Sequence, residues 1–171
     1  MEPRQPRIFA FAAPSGTGKT TLVCALIERL KALGHSVGAI KSDAHRVQLD
    51  TPGKDTHRMR KAGSATTALV SRDQIAVFRD APGGETSLEE IVRVFFSDVD
   101  FVLAEGFRSH GHPTVVVRRR GIDFEGWTWP ANVVALASDV PGDGRDDLPV
   151  FDLDDVDAIA DFVRGRRKPE R

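Results

Sequence analysis

Ala13-Pro14-Ser15-Gly16-Thr17-Gly18-Lys19-Thr20 is the stretch on which the fold turns. It follows a continuous apolar run, Ile8 to Ala13, and precedes residues 20–33, where Leu22, Leu26, Leu30 and Leu33 recur at helical spacing with Val23 and Ile27 beside them. A short apolar run is what a strand buried on both faces requires, and the change of period marks the helix. Between them, glycines let backbone amides turn inward as a nest for an anion, and the helix N-terminus adds partial positive charge. Gly18, Lys19 and Thr20 occupy the fixed positions of a phosphate-binding (Walker A) loop, with Lys19 placed for β- and γ-phosphates and the Thr20 hydroxyl for a magnesium ion (Mg2+). Ala13 stands where that pattern has glycine, so its backbone angles must be ones that alanine adopts. A chance glycine-rich turn would not be expected between a strand and an amphipathic helix.

Working outward, Gly34 caps the helix and Val37 to Ile40 forms a second strand. Val47 to Leu49 reads as a short strand, and Thr51 and Pro52 as N-cap and first residue of a helix reaching about Ala62 before Gly63. Thr66 to Val70 and Ile75 to Phe78 make an antiparallel hairpin. Ser87 and Glu90 open a helix as a capping box. Val99 to Ala104, Thr114 to Val117 and Val133 to Ala137 are further strands. A helix from Asp154 to about Arg164 has acidic residues first and basic ones last, in keeping with the helix dipole. The expected fold class is α/β, a three-layer P-loop NTPase fold with a mostly parallel sheet and an antiparallel hairpin. One domain is expected, with an ordered core at about residues 7–164.

The chain has 171 residues, of which 40% are hydrophobic and 29% charged, and a formal net charge of −1. No overall basic field draws in nucleic acid or an anionic membrane, so an anionic ligand must be captured locally. No apolar run approaches a membrane span, and cytoplasmic localisation is expected. The single cysteine, Cys24, excludes an internal disulfide framework and is expected to be buried as an apolar residue of the first helix.

Phosphoryl chemistry also needs a carboxylate near the metal and a group that places the nucleophile. Glu105, followed by Gly106 at the end of an apolar strand, is one candidate, because ligands of open α/β sheets lie at that end. It would hold the metal or orient water. Asp50, in Asp50-Thr51-Pro52-Gly53, imitates the Asp-x-x-Gly switch of GTPases, although an N-cap explains Thr51 and Pro52 equally. Lys41, Asp43 and His45 follow the second strand and form a candidate phosphate or metal cluster; a plain polar loop is the alternative. His110 and His112 lack the companions of a zinc site. Arg118, Arg119 and Arg120 read as a solvated rim rather than an anion patch. The Asn-Lys-x-Asp guanine motif is absent, but Asp139, at the end of a late strand, either accepts hydrogen bonds from guanine or is a loop residue before Pro141.

Together these pieces resemble the molybdopterin-guanine dinucleotide biosynthesis protein B (MobB) family. The resemblance rests on Ala12 to Thr21, on Ile40-Lys41-Ser42-Asp43-Ala44-His45, and on Asp50-Thr51-Pro52-Gly53-Lys54-Asp55-Thr56 with Arg60-Lys61-Ala62-Gly63. Glu105-Gly106-Phe107-Arg108 and Phe151 to Val156 with Ile159-Ala160 complete it. It implies the SIMIBI branch of P-loop NTPases: a homodimer that binds GTP with Mg2+, hydrolyses it slowly, and assists the guanylyltransferase joining GMP to molybdopterin. It also implies that Ser15, Gly16, Thr17, Gly18, Lys19, Thr20 and Thr21 lie on the phosphates. Lys41, Asp43, Asp50, Lys54, Asp55 and Glu105 would line the site. Arg108 stands where the family commonly has lysine, preserving charge but not hydrogen-bond geometry. The competing functions are an ATP-dependent small-molecule kinase, with Arg58, Arg60 and Lys61 as lid cations, and a nucleotide-gated binding module whose hydrolysis is incidental.

Overall fold

The apolar run at the start of the chain becomes the centre of a sheet. In the computed structural model, which describes residues 5–43, 49–80, 86–107, 111–142 and 147–166, this strand is β1 (Arg7–Ala12). There follow α1 (Lys19–Ala32), β2 (Val37–Lys41), α2 (Asp55–Lys61), β3 (Thr66–Val70), β4 (Ile75–Arg79) and α3 (Leu88–Phe95). β5 (Phe101–Glu105), β6 (Thr114–Arg118), β7 (Val133–Ser138), β8 (Val150–Asp152) and α4 (Val156–Gly165) complete the order. Six strands pair in the order β2-β5-β1-β6-β7-β8, every pairing parallel. The mostly parallel α/β reading therefore holds, and so does the antiparallel hairpin, β3 with β4.

Both faces of the sheet are covered, which is why its strands read as unbroken apolar runs. On one face Phe9, Phe11, Phe101, Leu103 and Val115 pack with Leu22, Leu26 and Leu30 of α1 and Ile159 and Val163 of α4. On the other, Val102 and Ala104 pack with Leu88 and Val92 of α3. Leu26 and Leu30 are wholly buried. Burial of each contributes about 1.5–3 kcal/mol, enough to fix the helix against the sheet. The two strands that follow one another in sequence, β1 and β2, are not neighbours. β5 enters between them, and this brings the residue ending β5 alongside the strand that feeds the phosphate-binding loop.

The chain forms two compact units, residues 1–42 with 87–171, and residues 43–86. In the second, α2 begins later than the sequence suggested. Lys54, not Thr51, is its N-cap, and Pro52 lies in a turn. Gly53 has φ 83°, a left-handed conformation that a helix begun at Pro52 would not accommodate. The helix ends at Lys61, with Ala62 as C-cap, as its Ala62-Gly63 signal indicated. Val47 and Gln48 lie outside the described residues, and Leu49 belongs to no strand.

Elsewhere Ser87 accepts a hydrogen bond from the Glu90 amide at 3.1 Å, as a capping box requires. Asp155, rather than Asp154, caps α4, through the Ala158 amide at 3.0 Å. β8 escaped the sequence reading because its three residues carry no period of their own; pairing with β7 defines it. Cys24 is exposed, contrary to expectation. Two residues beyond Leu22 on a helix is a rotation of about 200°, which turns the thiol away from the apolar stripe.

Candidate functional site

At the carboxyl end of β1 the chain leaves the sheet and turns at two left-handed glycines, Gly16 at φ 81° and Gly18 at φ 87°. Gly18 is the residue immediately before α1, so Lys19 and Thr20 begin the helix. Among the described residues only glycines have positive φ, so Ala13 fills the first position of the loop at an ordinary backbone angle. Thr17 is fully buried and its hydroxyl donates to the Pro14 carbonyl at 3.2 Å. Lys19 Nζ donates to the same carbonyl at 2.8 Å. Its ammonium has three donors, so the bond to the loop is compatible with a bond to an anion as well. Ser15, Gly16, Thr20 and Thr21 are exposed.

The central contact of the site joins this loop to β5. Thr20 Oγ1 donates to Glu105 Oε2 at 2.8 Å. Register explains it: β5 pairs with β1 so that Glu105 lies opposite Phe11, two residues before the loop starts at Ala13. On its other side Glu105 is paired in register with Lys41, the last residue of β2, which is exposed. Gly106 then bends the chain away at φ 96°, its amide bonded to the Phe11 carbonyl at 3.2 Å. A β-carbon there would come within 2.9 Å of the Ser42 carbonyl oxygen, so this position requires glycine for space as well as conformation. An exposed hydroxyl and a half-buried carboxylate, both hard oxygen donors at the end of a parallel sheet, suit Mg2+ in chemistry.

The other candidates have surroundings of their own. Asp43 and Asp50 both belong to the second unit. Asp50, with its side chain only 7% exposed, accepts from the Thr56 hydroxyl at 3.0 Å and lies 3.7 Å from Arg60 Nη1. Arg60 also donates to Asp80 at 3.1 Å and sits over the Phe78 ring at 5.4 Å, so it is bound into its own unit rather than presented as a lid cation. Asp139 follows β7. It accepts from the Arg120 amide at 2.5 Å, and its other oxygen is 4.0 Å from Arg119 Nε. His112 lies 2.9 Å from Glu89. No group of three metal-ligating side chains forms among the described residues. His45, Arg108 and His110 fall outside those residues.

The three arginines are not the uniform solvated rim that their sequence suggested. Arg118 stacks on Phe124 at 4.8 Å, and the Arg120 amide holds Asp139. Arg119 lies against Gly18, its guanidinium 3.4 Å from where a β-carbon would stand. No sequence motif signals this contact, since residue 119 reaches the loop through the β1–β6 pairing. At the opposite ends of these strands, Arg7, His112, Pro113, Asn132 and Arg166 line a cavity of about 200 Å³. It is smaller than the few hundred cubic ångströms of ordinary small-molecule sites.

The sequence and the fold have counterparts among known proteins. The family model described as molybdopterin guanine dinucleotide synthesis protein B matches residues 8–139. The chain belongs to this MobB family. It is 39% identical over 160 residues to the molybdopterin-guanine dinucleotide biosynthesis adapter protein of Escherichia coli (strain K12), covering 91% of this chain and 90% of that one. The adapter protein of the same name from Haemophilus influenzae is 33% identical over 150 residues, with 87% and 83% covered. Among solved structures, Bacillus subtilis MobB superposes with a TM-score of 0.76 at 25% identity, covering 96% of this chain and 99% of that one. A second, molybdopterin-guanine biosynthesis protein B, gives 0.74 at 26% identity, with 92% and 98% covered. Among the described residues no helix is long and apolar enough to cross a membrane.

Proposed function

We propose that this chain is a GTP-binding adapter in molybdopterin-guanine dinucleotide biosynthesis, hydrolysing GTP slowly with Mg2+ and assisting the guanylyltransferase that joins GMP to molybdopterin. The observation that carries the reading is the Thr20–Glu105 hydrogen bond, 2.8 Å long, at the mouth of a glycine loop in a member of this family. Its relatives in Escherichia coli and Haemophilus influenzae bear the name adapter protein, which supports extending that role to this chain.

In this reading the amides of Ser15 to Thr21 cradle the phosphates and Lys19 balances their charge. Thr20 and Glu105 would hold Mg2+, with Asp43 as a further carboxylate. When bound, the ion neutralises charge that builds on the phosphate oxygens. Glu105 then orients a water whose oxygen forms a bond to the γ-phosphorus as the bond to the β–γ bridging oxygen breaks. GDP and phosphate leave, and the proton passes to solvent. Asp50 is the competing choice for the water. Lys41, in register beside Glu105, adds positive charge at the same edge, and Asp139 is proposed to read guanine N1 and N2. The whole chain acts as one nucleotide-binding domain, cytoplasmic and homodimeric, with molybdopterin as a further ligand of the assembly.

Competition binding of GTP and ATP in the presence of Mg2+ tests the proposal. Preference for GTP is expected. Equal affinities would overturn guanine recognition and return the ATP-dependent kinase to the lead.

A further inference from the structure

We infer that Arg119 is a second phosphate-binding cation, brought over the glycine loop by the segment that follows β6; this rests on the nucleotide reading above. The guanidinium carbon and one terminal nitrogen lie 3.4 Å from the β-carbon position of Gly18, and the other terminal nitrogen 3.6 Å. Gly18 is the residue on which the loop gives way to α1, where helix and nest both favour an anion. The same segment touches the loop again, Ile122 Cδ1 standing 4.0 Å from the β-carbon position of Gly16. An Ile122 amide bond to the Arg119 carbonyl, 3.1 Å long, closes the segment into a turn. The loop is therefore roofed at two successive glycines, and the charged member of the roof lies over the helix start.

The bonding of Arg119 fits a group awaiting an anion. Its Nε is buried and finds no hydrogen-bond acceptor among the described residues. Asp139 Oδ2, at 4.0 Å, is beyond hydrogen-bond distance. Asp139 Oδ1 instead takes the Arg120 backbone amide, which fixes the chain on which Arg119 stands. Nearly half of the Arg119 side chain remains open to solvent, so a ligand on the loop has access to it. A planar fork of donors suits phosphate oxygens in a way that a lysine does not reproduce. Arg118 and Arg120 do not share this placement, the first lying on Phe124 and the second exposed beside Asp139.

The test is titration of GTP, GDP and guanosine into the wild-type chain and into Arg119→Ala and Arg119→Lys, each at several salt concentrations, with thermal melting to verify folding. Arg72→Ala, in the turn between β3 and β4, is the charge control. Arg119→Ala is expected to weaken both nucleotides at least about tenfold and to make their affinity less sensitive to salt, because one screened charge pair is gone. Guanosine binding should not change, and Arg119→Lys should regain only part of the loss. A residue that merely packs on the loop would leave the salt dependence unaltered. Wild-type nucleotide affinity and salt dependence in a folded Arg119→Ala chain would overturn the inference while leaving the nucleotide reading intact. Failure of the wild-type chain to bind either nucleotide would overturn both.

Discussion

Glu105 and Asp50 each stand near a glycine, and each qualifies in sequence as the carboxylate of a nucleotide site. Their surroundings differ in kind. Asp50 is almost buried and is held by partners within six to ten residues of it, the Thr56 hydroxyl and the Arg60 guanidinium. Glu105 is reached by Thr20, a residue 85 positions away that begins the helix behind the glycine loop. A carboxylate held by its own local unit, one oxygen hydrogen-bonded and the other ion-paired, is explained by that unit's stability, since a buried charge left without partners is costly. A carboxylate whose partner is an exposed hydroxyl of an anion-binding loop is explained by what the loop holds. Two similar sequence signals are thus separated by where their partners come from.

The largest expected effect breaks the loop side of the comparison. Lys19→Ala should lower GTP affinity at least about a hundredfold, roughly 2.7 kcal/mol, with folding retained in a thermal melt. Wild-type affinity in a folded variant would remove the loop assignment. Gly106→Ala attacks the Glu105 side through the backbone. With φ 96° and the Ser42 carbonyl in the way, it should cost about 2 kcal/mol in denaturant unfolding and displace Glu105 from Thr20. An unfolding midpoint equal to that of the wild type would contradict the crowding seen there. Asp50→Ala sharpens the other side. It should cost about 1–2 kcal/mol, read as faster hydrogen exchange confined to residues 49–80, because Thr56 loses its acceptor and Arg60 an ion-pair partner. Unchanged exchange in that segment would deny Asp50 its structural part.

Much of this was legible in the sequence, and the reasons lie in particular residues. Ile8 to Ala13 could be read because a strand covered on both faces needs no polar alternation, and the glycine loop because its chemistry constrains adjacent positions. Ser87 and Glu90 announced α3 through a local bond. What escaped reading depended on contacts distant in sequence or on unusual backbone angles. Glu105 could be read as a carboxylate at the metal end of the sheet with Thr20, but the strand order that brings it there, β5 between β1 and β2, is encoded by neither residue's neighbours. Arg119 looked like one of three equivalent rim charges until the β1–β6 pairing carried it to Gly18. The start of α2 was misplaced because Thr51-Pro52 resembles a helix entry, whereas Gly53 directs the chain through a left-handed turn first. Cys24 followed the helical stripe in sequence but not in angle.

The most direct test of the central claim is single-turnover GTP hydrolysis by Glu105→Gln set beside Asp50→Asn. Each substitution keeps size and most hydrogen bonding but removes the charge. If Glu105 places the metal or the water, Glu105→Gln should bind GTP yet hydrolyse it at least about tenfold more slowly, equivalent to roughly 1.4 kcal/mol of barrier, while Asp50→Asn hydrolyses at the wild-type rate. An unchanged rate in Glu105→Gln together with a loss in Asp50→Asn would contradict the account and move the chemistry to the second unit.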